Sequence, residues 1–179
     1  KYKSKNRRMK KIYTIRTCTV MSMAVITGCG SDKKADTDTK KDGTSETSVY
    51  TYEINGVSVA MNENMEPLVE KLGEADNYFE SESCAFQGMD KVYTYGSVKI
   101  TTYPKDDKVY VYTIELLDDT VSTPEGISIG SSKSDVEEKY GKASDETDTS
   151  YIYKKGDSQL SFIFDGDDVS SIVYNAITD

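Results

Sequence analysis

Histidine and tryptophan are absent from this 179-residue chain. Without histidine there is no Ser-His-Asp or Cys-His catalytic engine, no imidazole metal ligand and no proton switch near neutral pH. Arginine is confined to Arg7, Arg8 and Arg16, all near the start. Beyond them acids outnumber lysines, so no basic stripe can follow a phosphate backbone, which argues against nucleic acid as a partner. Long hydrophobic runs are missing too. Residues 17–28 (TCTVMSMAVITG) are uncharged, but they number twelve and include Thr17, Thr19, Ser22 and Thr27. A hydrocarbon layer of roughly 30 Å takes about 20 apolar residues to cross.

What the N-terminal segment does have is order. Residues 1–16 carry eight positive charges and no acid, the apolar run follows, and small residues precede Cys29. Basic flank, short apolar middle and small-residue cleavage site predict a secretory signal over residues 1–28. Met9-Lys10-Lys11 reads as a natural start, with residues 1–8 an upstream extension of the frame. Ile26-Thr27-Gly28-Cys29 resembles the lipobox of bacterial lipoproteins. That resemblance implies cleavage before Cys29, a diacylglycerol thioether on its sulfur, and lipid anchoring on the extracytoplasmic face of the cell membrane.

Removal of the signal leaves 14 basic against 31 acidic residues, a net charge of −17 over residues 29–179. Of the three cysteines, Cys18 lies in the signal and Cys29 carries the lipid, so Cys84 cannot form an internal disulfide. Its neighbours Ser83, Ala85 and Phe86 predict a buried small hydrophobe. Residues 30–48 hold one alanine and no larger apolar side chain, so 29–48 reads as a disordered tether. About 19 such residues reach roughly 25 Å.

Patterned sequence begins at Val49. Tyr50 to Ile54 alternates, Asn55-Gly56 follows, and Val57-Ser58-Val59 alternates again, which predicts a hairpin. Residues 59–75 and 127–143 then match without a gap, 68 residues apart. Each match reads as a short strand and a helix, with Asn64 or Ser132 opening the helix and Gly73 or Gly141 ending it. Strand-like runs follow at 91–95, 97–103 and 108–117, then at 151–154, 159–164 and 169–176. The expectation is an α+β fold of two tandem repeats, 49–119 and 120–179. Each would be a helix plus a three-stranded antiparallel meander, with the helices on one side of the sheet.

The run Ile129-Gly130-x-Ser132-x-x-Asp135-Val136-x-x-x-Tyr140-Gly141-x-Ala143 resembles the helix signature of small outer-membrane assembly lipoproteins and of tandem-repeat β-lactamase inhibitor proteins. Those resemblances imply helices packed on an antiparallel sheet, and action by binding other proteins. Residues 78–103 and 118–127 also look like surface lipoproteins of anaerobic Gram-positive bacteria, a likeness that runs from about Tyr50 to the C-terminus.

Fourteen tyrosines against four phenylalanines is the oddest ratio in the composition. Tyr93 with Tyr95, Tyr110 with Tyr112, and Tyr151 with Tyr153 are spaced by two, which puts each pair on one strand face. Either they form an exposed aromatic platform for a partner, or they pack under the helices with hydroxyls at the rim. Tyr110, Tyr112, Ile114 and Leu116 share one parity, which favours the core for that strand. The Asp106-Asp107, Asp118-Asp119 and Asp165-to-Asp168 runs lack EF-hand spacing and read as solvated turns, so no metal and no cofactor is expected. The expected function is a non-enzymatic module for a neutral or basic protein or peptide. It would bind through the helix-free sheet face and the 103–108 and 165–168 turns. A small-molecule or metal-sensing envelope lipoprotein and a purely structural envelope component are the alternatives.

Overall fold

A computed structural model describes residues 48–178. The expected signal, Cys29 and nearly all of the expected tether lie outside these residues. Among the described residues no helix is long and apolar enough to cross a membrane.

Two strands, β1 (Thr51–Ile54) and β2 (Val57–Ala60), form a separate hairpin. Asn55 and Gly56 both take positive φ, the requirement of a two-residue hairpin turn. Helix α1 (Met65–Leu72) follows, and then β3 (Asn77–Glu82), β4 (Met89–Tyr95), β5 (Val98–Lys105) and β6 (Lys108–Leu116). Helix α2 (Lys133–Tyr140) precedes β7 (Asp145–Thr147), β8 (Ser150–Lys155), β9 (Ser158–Asp165) and β10 (Asp168–Ala176). These last eight strands make one antiparallel sheet in the order β3-β4-β5-β6-β10-β9-β8-β7.

This corrects the expected α+β class and its two three-stranded repeats. The protein is mostly β: half of the described residues are strand and 12% are helix. Four strands follow each helix, and all eight join through β6 and β10 into one sheet. The unpredicted strands, β3 and β7, are the two edges, and every residue in them is exposed. An edge strand that covers no core shows no apolar alternation to read.

The caps follow the sequence closely. Asn64 Oδ1 accepts from the Glu66 N–H at 3.1 Å, and the Gly73 N–H returns to the Val69 carbonyl at 3.0 Å. In α2, Ser132 and Asp135 form a reciprocal capping box, and the Gly141 N–H closes on Glu137 at 2.8 Å. Met65, Leu68 and Leu72 bury one stripe of α1, whereas α2 buries only Val136. Capping, worth about 1 kcal/mol per end, therefore matters more to α2.

The core lies between one sheet face and a layer made by the β1–β2 hairpin, the helices and residues 117–131. Two side-chain rows cross that face in register. Tyr93, Ile100, Ile114, Tyr174, Leu160 and Tyr153 form one; Tyr95, Val98, Leu116, Ile172, Phe162 and Tyr151 form the other. All twelve are buried. The Tyr95 hydroxyl donates to the Gly73 carbonyl at 3.4 Å and Tyr153 to Gly141 at 3.0 Å, so both helices end over this same face.

Candidate functional site

The opposite face of the sheet has no helix over it. Its central rows are polar apart from Val173: Thr101, Thr113, Asn175 and Gln159 in one, and Thr94, Lys99, Glu115, Val173 and Ser161 in the next. Lys99 and Glu115 pair across β5 and β6 as an ion pair. Partly exposed as it is, such a pair contributes about 0.2–1 kcal/mol.

Aromatic character gathers at one end of this face. A bulge in β6 sets Thr101 opposite Thr113 but Thr102 opposite Val111, leaving Tyr112 as the extra residue. The parity therefore shifts: Val109 and Val111 join Ile114 and Leu116 in the core, and Tyr110 and Tyr112 turn to the open face. Tyr110 lies opposite Tyr103 with ring centroids 5.8 Å apart, and Tyr112 stands 5.7 Å from Tyr103. Phe86 reaches over from the β3–β4 loop to within 5.1 Å of Tyr103 and 5.9 Å of Tyr112.

Local geometry holds that loop down. Ser83 donates its N–H to the Gly88 carbonyl, and its hydroxyl oxygen accepts from the Ala85 and Phe86 N–H groups. Gly88 has φ +125° and abuts Pro104, where a Cβ would sit 2.9 Å from the proline Cβ. Only glycine satisfies both the backbone and the approach. Phe86 is the residue turned inward, and Cys84 is left exposed, contrary to the buried position expected for it.

Beside this cluster lies a groove of about 550 Å³, lined by Phe86, Tyr103, Pro104 and Tyr110 on the aromatic side and by Asn62, Asp157 and Ile177. Asn62 sits at φ +64° and ties the walls together: its Oδ1 accepts from the Tyr103 hydroxyl at 3.0 Å, and its Nδ2 donates to the Asp157 carbonyl at 3.2 Å. Burial, with Tyr110 adding to it, raises the Tyr103 pKa above its ordinary value. Lys105 and Asp157 set one charge of each sign at the groove rim, and both are exposed.

The six tyrosines proposed from spacing thus divide between the two faces. Tyr110 lines the groove and Tyr112 supports Phe86. Tyr93, Tyr95, Tyr151 and Tyr153 lie under the helix layer. There the Tyr151 hydroxyl donates to Glu137 at 2.7 Å, and this bond first, then burial, lifts its pKa to about 12. Burial first, then Glu137 and Glu146, lifts Tyr153 to about 12. A second hollow of about 440 Å³ beside these two is lined by Glu137, Glu146 and Lys142. Spacing did not single out Phe86, Tyr103, Asn62, Asp157 or Ile177. Among the described residues no three His, Cys, Asp or Glu side chains converge as metal ligands.

No family model, curated protein or solved structure matches the chain.

Proposed function

We propose that this is a lipid-anchored, extracytoplasmic protein that acts by binding a protein or peptide rather than by catalysis. The aromatic groove on the open face would be the principal contact. The observation that carries the reading is a contrast between two hairpins of the same sheet. Where β5–β6 sets Tyr103 against Tyr110 just beyond the buried Thr102–Val111 pair, β9–β10 sets Asp165 against Asp168 just beyond Phe164–Val169. The second hairpin forms with acids at that place, so pairing does not demand the aromatic residues. Clustered Tyr and Phe around a groove with a few polar groups suit recognition of a peptide segment or side chain. The excess of acid favours a neutral or basic partner, with association slowing as salt rises.

A photo-crosslinking residue at Tyr110 tests this in cells, with one at Ile163, which is exposed on the other half of the same face, as control. Irradiation is expected to yield a discrete protein adduct from position 110 and none from 163. Equal adducts from both, or none from either, would refute the groove as the contact.

A further inference from the structure

The two edges of the sheet are built differently. At one end β7 is three residues long, the ordinary way to blunt an edge against pairing with another chain. At the other end β3 runs six residues with no proline, no lysine and no bulge, and β4 is its sole partner. Its outer N–H and C=O groups face solvent. Tyr78 at 48% and Phe79 at 61% exposure are the two most exposed large apolar side chains among the described residues, and Met89 across the hairpin is exposed as well. A regular, uncovered edge that exposes large apolar side chains is a template for strand addition.

The side chains on β3 say what kind of strand fits. Phe79 lies opposite Val92 on the helix-free face, while Tyr78, Glu80 and Glu82 project to the other face with Tyr93. Lys91 is opposite Glu80 in register, yet the two form no ion pair; Glu80 accepts instead from the Tyr78 hydroxyl at 2.7 Å. Among the described residues neither Glu80 nor Glu82 has a lysine as ion-pair partner. Residues directly opposite in paired strands share a face, so an added strand would meet acid on one face and Phe79 on the other. A second copy of this chain would bring Glu80 and Glu82 against an already acidic edge.

We propose that β3 accepts, as a ninth strand, an extended peptide with lysine or arginine at alternate positions and apolar residues between them. This rests on reading the protein as a peptide-binding module, and it assigns the partner's backbone and charge pattern at a place separate from the groove.

The test uses the full chain and a capped hexapeptide of alternating lysine and valine, read by hydrogen exchange. The outward amides of Asn77–Glu82 should exchange on the order of tenfold more slowly with the peptide present. The same peptide with alternate backbone amides methylated, and an alternating glutamate–valine peptide, should give no protection. The double variant Glu80→Lys/Glu82→Lys should weaken binding on the order of tenfold, since two opposite-charge pairs become like-charge pairs. Glu146→Lys on β7 should leave it unchanged. Equal protection by the methylated peptide would mean charge alone and overturn the proposal. Protection of β3 without peptide, rising with protein concentration, would make a second copy the occupant and overturn it as well. Adducts at Tyr110 together with no peptide protection at β3 would sink the edge assignment alone; protection without adducts would sink the groove alone.

Discussion

Tyr174 offers the sharpest test of the core. It lies at the middle of a buried row between Ile114 and Leu160, is 1% exposed, and its hydroxyl has no hydrogen-bond partner. Its ring meets Tyr52 at 5.6 Å and Tyr50 at 5.9 Å, and the polar group nearest its hydroxyl is that of Tyr140, which is already committed to Glu125 as a donor. Burial pushes its pKa far above the ordinary tyrosine value. Leaving a hydroxyl unpaired in such a place costs about 1–3 kcal/mol. Tyr174→Phe removes that cost and adds no atom; the vacated oxygen leaves a gap whose lost dispersion contacts offset part of the gain. The net expectation is stabilisation by about 1 kcal/mol, a rise in melting midpoint of about 3–5 °C for a domain this size. Tyr153→Phe is the matched control: its hydroxyl is used, donating to Gly141 at 3.0 Å, and its loss should cost about 1 kcal/mol. Urea and thermal unfolding of the two variants beside the parent decide it. If Tyr174→Phe lowers the midpoint with an unchanged urea slope, the hydroxyl is partnered in solution and the reasoning fails.

Other outcomes follow from the same geometry. Thr102 is fully buried, and its hydroxyl both accepts from the Lys91 N–H and donates to the Lys91 carbonyl where β4 and β5 part. Thr102→Val should therefore cost about 1–3 kcal/mol in urea unfolding despite its equal size; a neutral result would mean that water replaces both bonds. Gly88→Ala forces a Cβ against Pro104 and should lift Phe86 off Tyr103 and Tyr112, seen as faster hydrogen exchange over 83–88 with β9 and β10 unchanged. Ser132→Ala removes half of the capping box and should cost about 1 kcal/mol, with helical circular dichroism falling by less than half because α1 remains. In alkali, Tyr151 and Tyr153 titrate at about 12 when folded, whereas unfolded tyrosine ionises near 10. The neutral form thus favours folding: this stability is whole below about pH 10 and is lost between about 10 and 12. Denaturation midpoints that stay flat across that interval would contradict the Glu137 bond and the burial behind these shifts.

Much of the chain's punctuation was legible because it is local chemistry. Asn55-Gly56 turns the first hairpin, Asn64 and Ser132 cap their helices, and Gly73 and Gly141 stop them, each within four residues of its partner. The six core-bearing strands of the large sheet also lie close to where alternation put them. The edges were not legible. Asn77–Glu82 and Asp145–Thr147 bury nothing, so their membership in the sheet rests on backbone bonds to β4 and β8 that no side-chain pattern records. Continuity of the sheet was hidden for a related reason. The β6–β10 pairing joins residues 113–116 to 172–175, and only the packed core sets that register.

Bulges explain why the groove was missed and how it could have been found. Alternation from Tyr110 through Leu116 assigns both tyrosines to the core only if the period of two is unbroken. Valine and isoleucine tell otherwise: the buried positions are 109, 111, 114 and 116, with one step of three between Val111 and Ile114. β10 repeats the device, with Val169 and Ile172 both buried and a register shift between Val169 and Ser171. An inserted residue turns every side chain beyond it to the other face. In β10 the residues thrown outward near the bulge are serines, Ser170 and Ser171. In β6 they are Tyr112 and Thr113, with Tyr110 one pair further on; the opposite strand meets both tyrosines with Tyr103, and the loop lays Phe86 against Tyr103 and Tyr112. The same backbone irregularity is thus used twice, and only one copy spends aromatic side chains on the solvent side. Deleting Tyr112 should restore simple alternation in β6, with Val109 and Val111 still in the core and Tyr110 still on the open face, while removing one support of Phe86; crosslinking from position 110 that is unchanged in the still-folded variant would show that Tyr112 is no part of the binding surface.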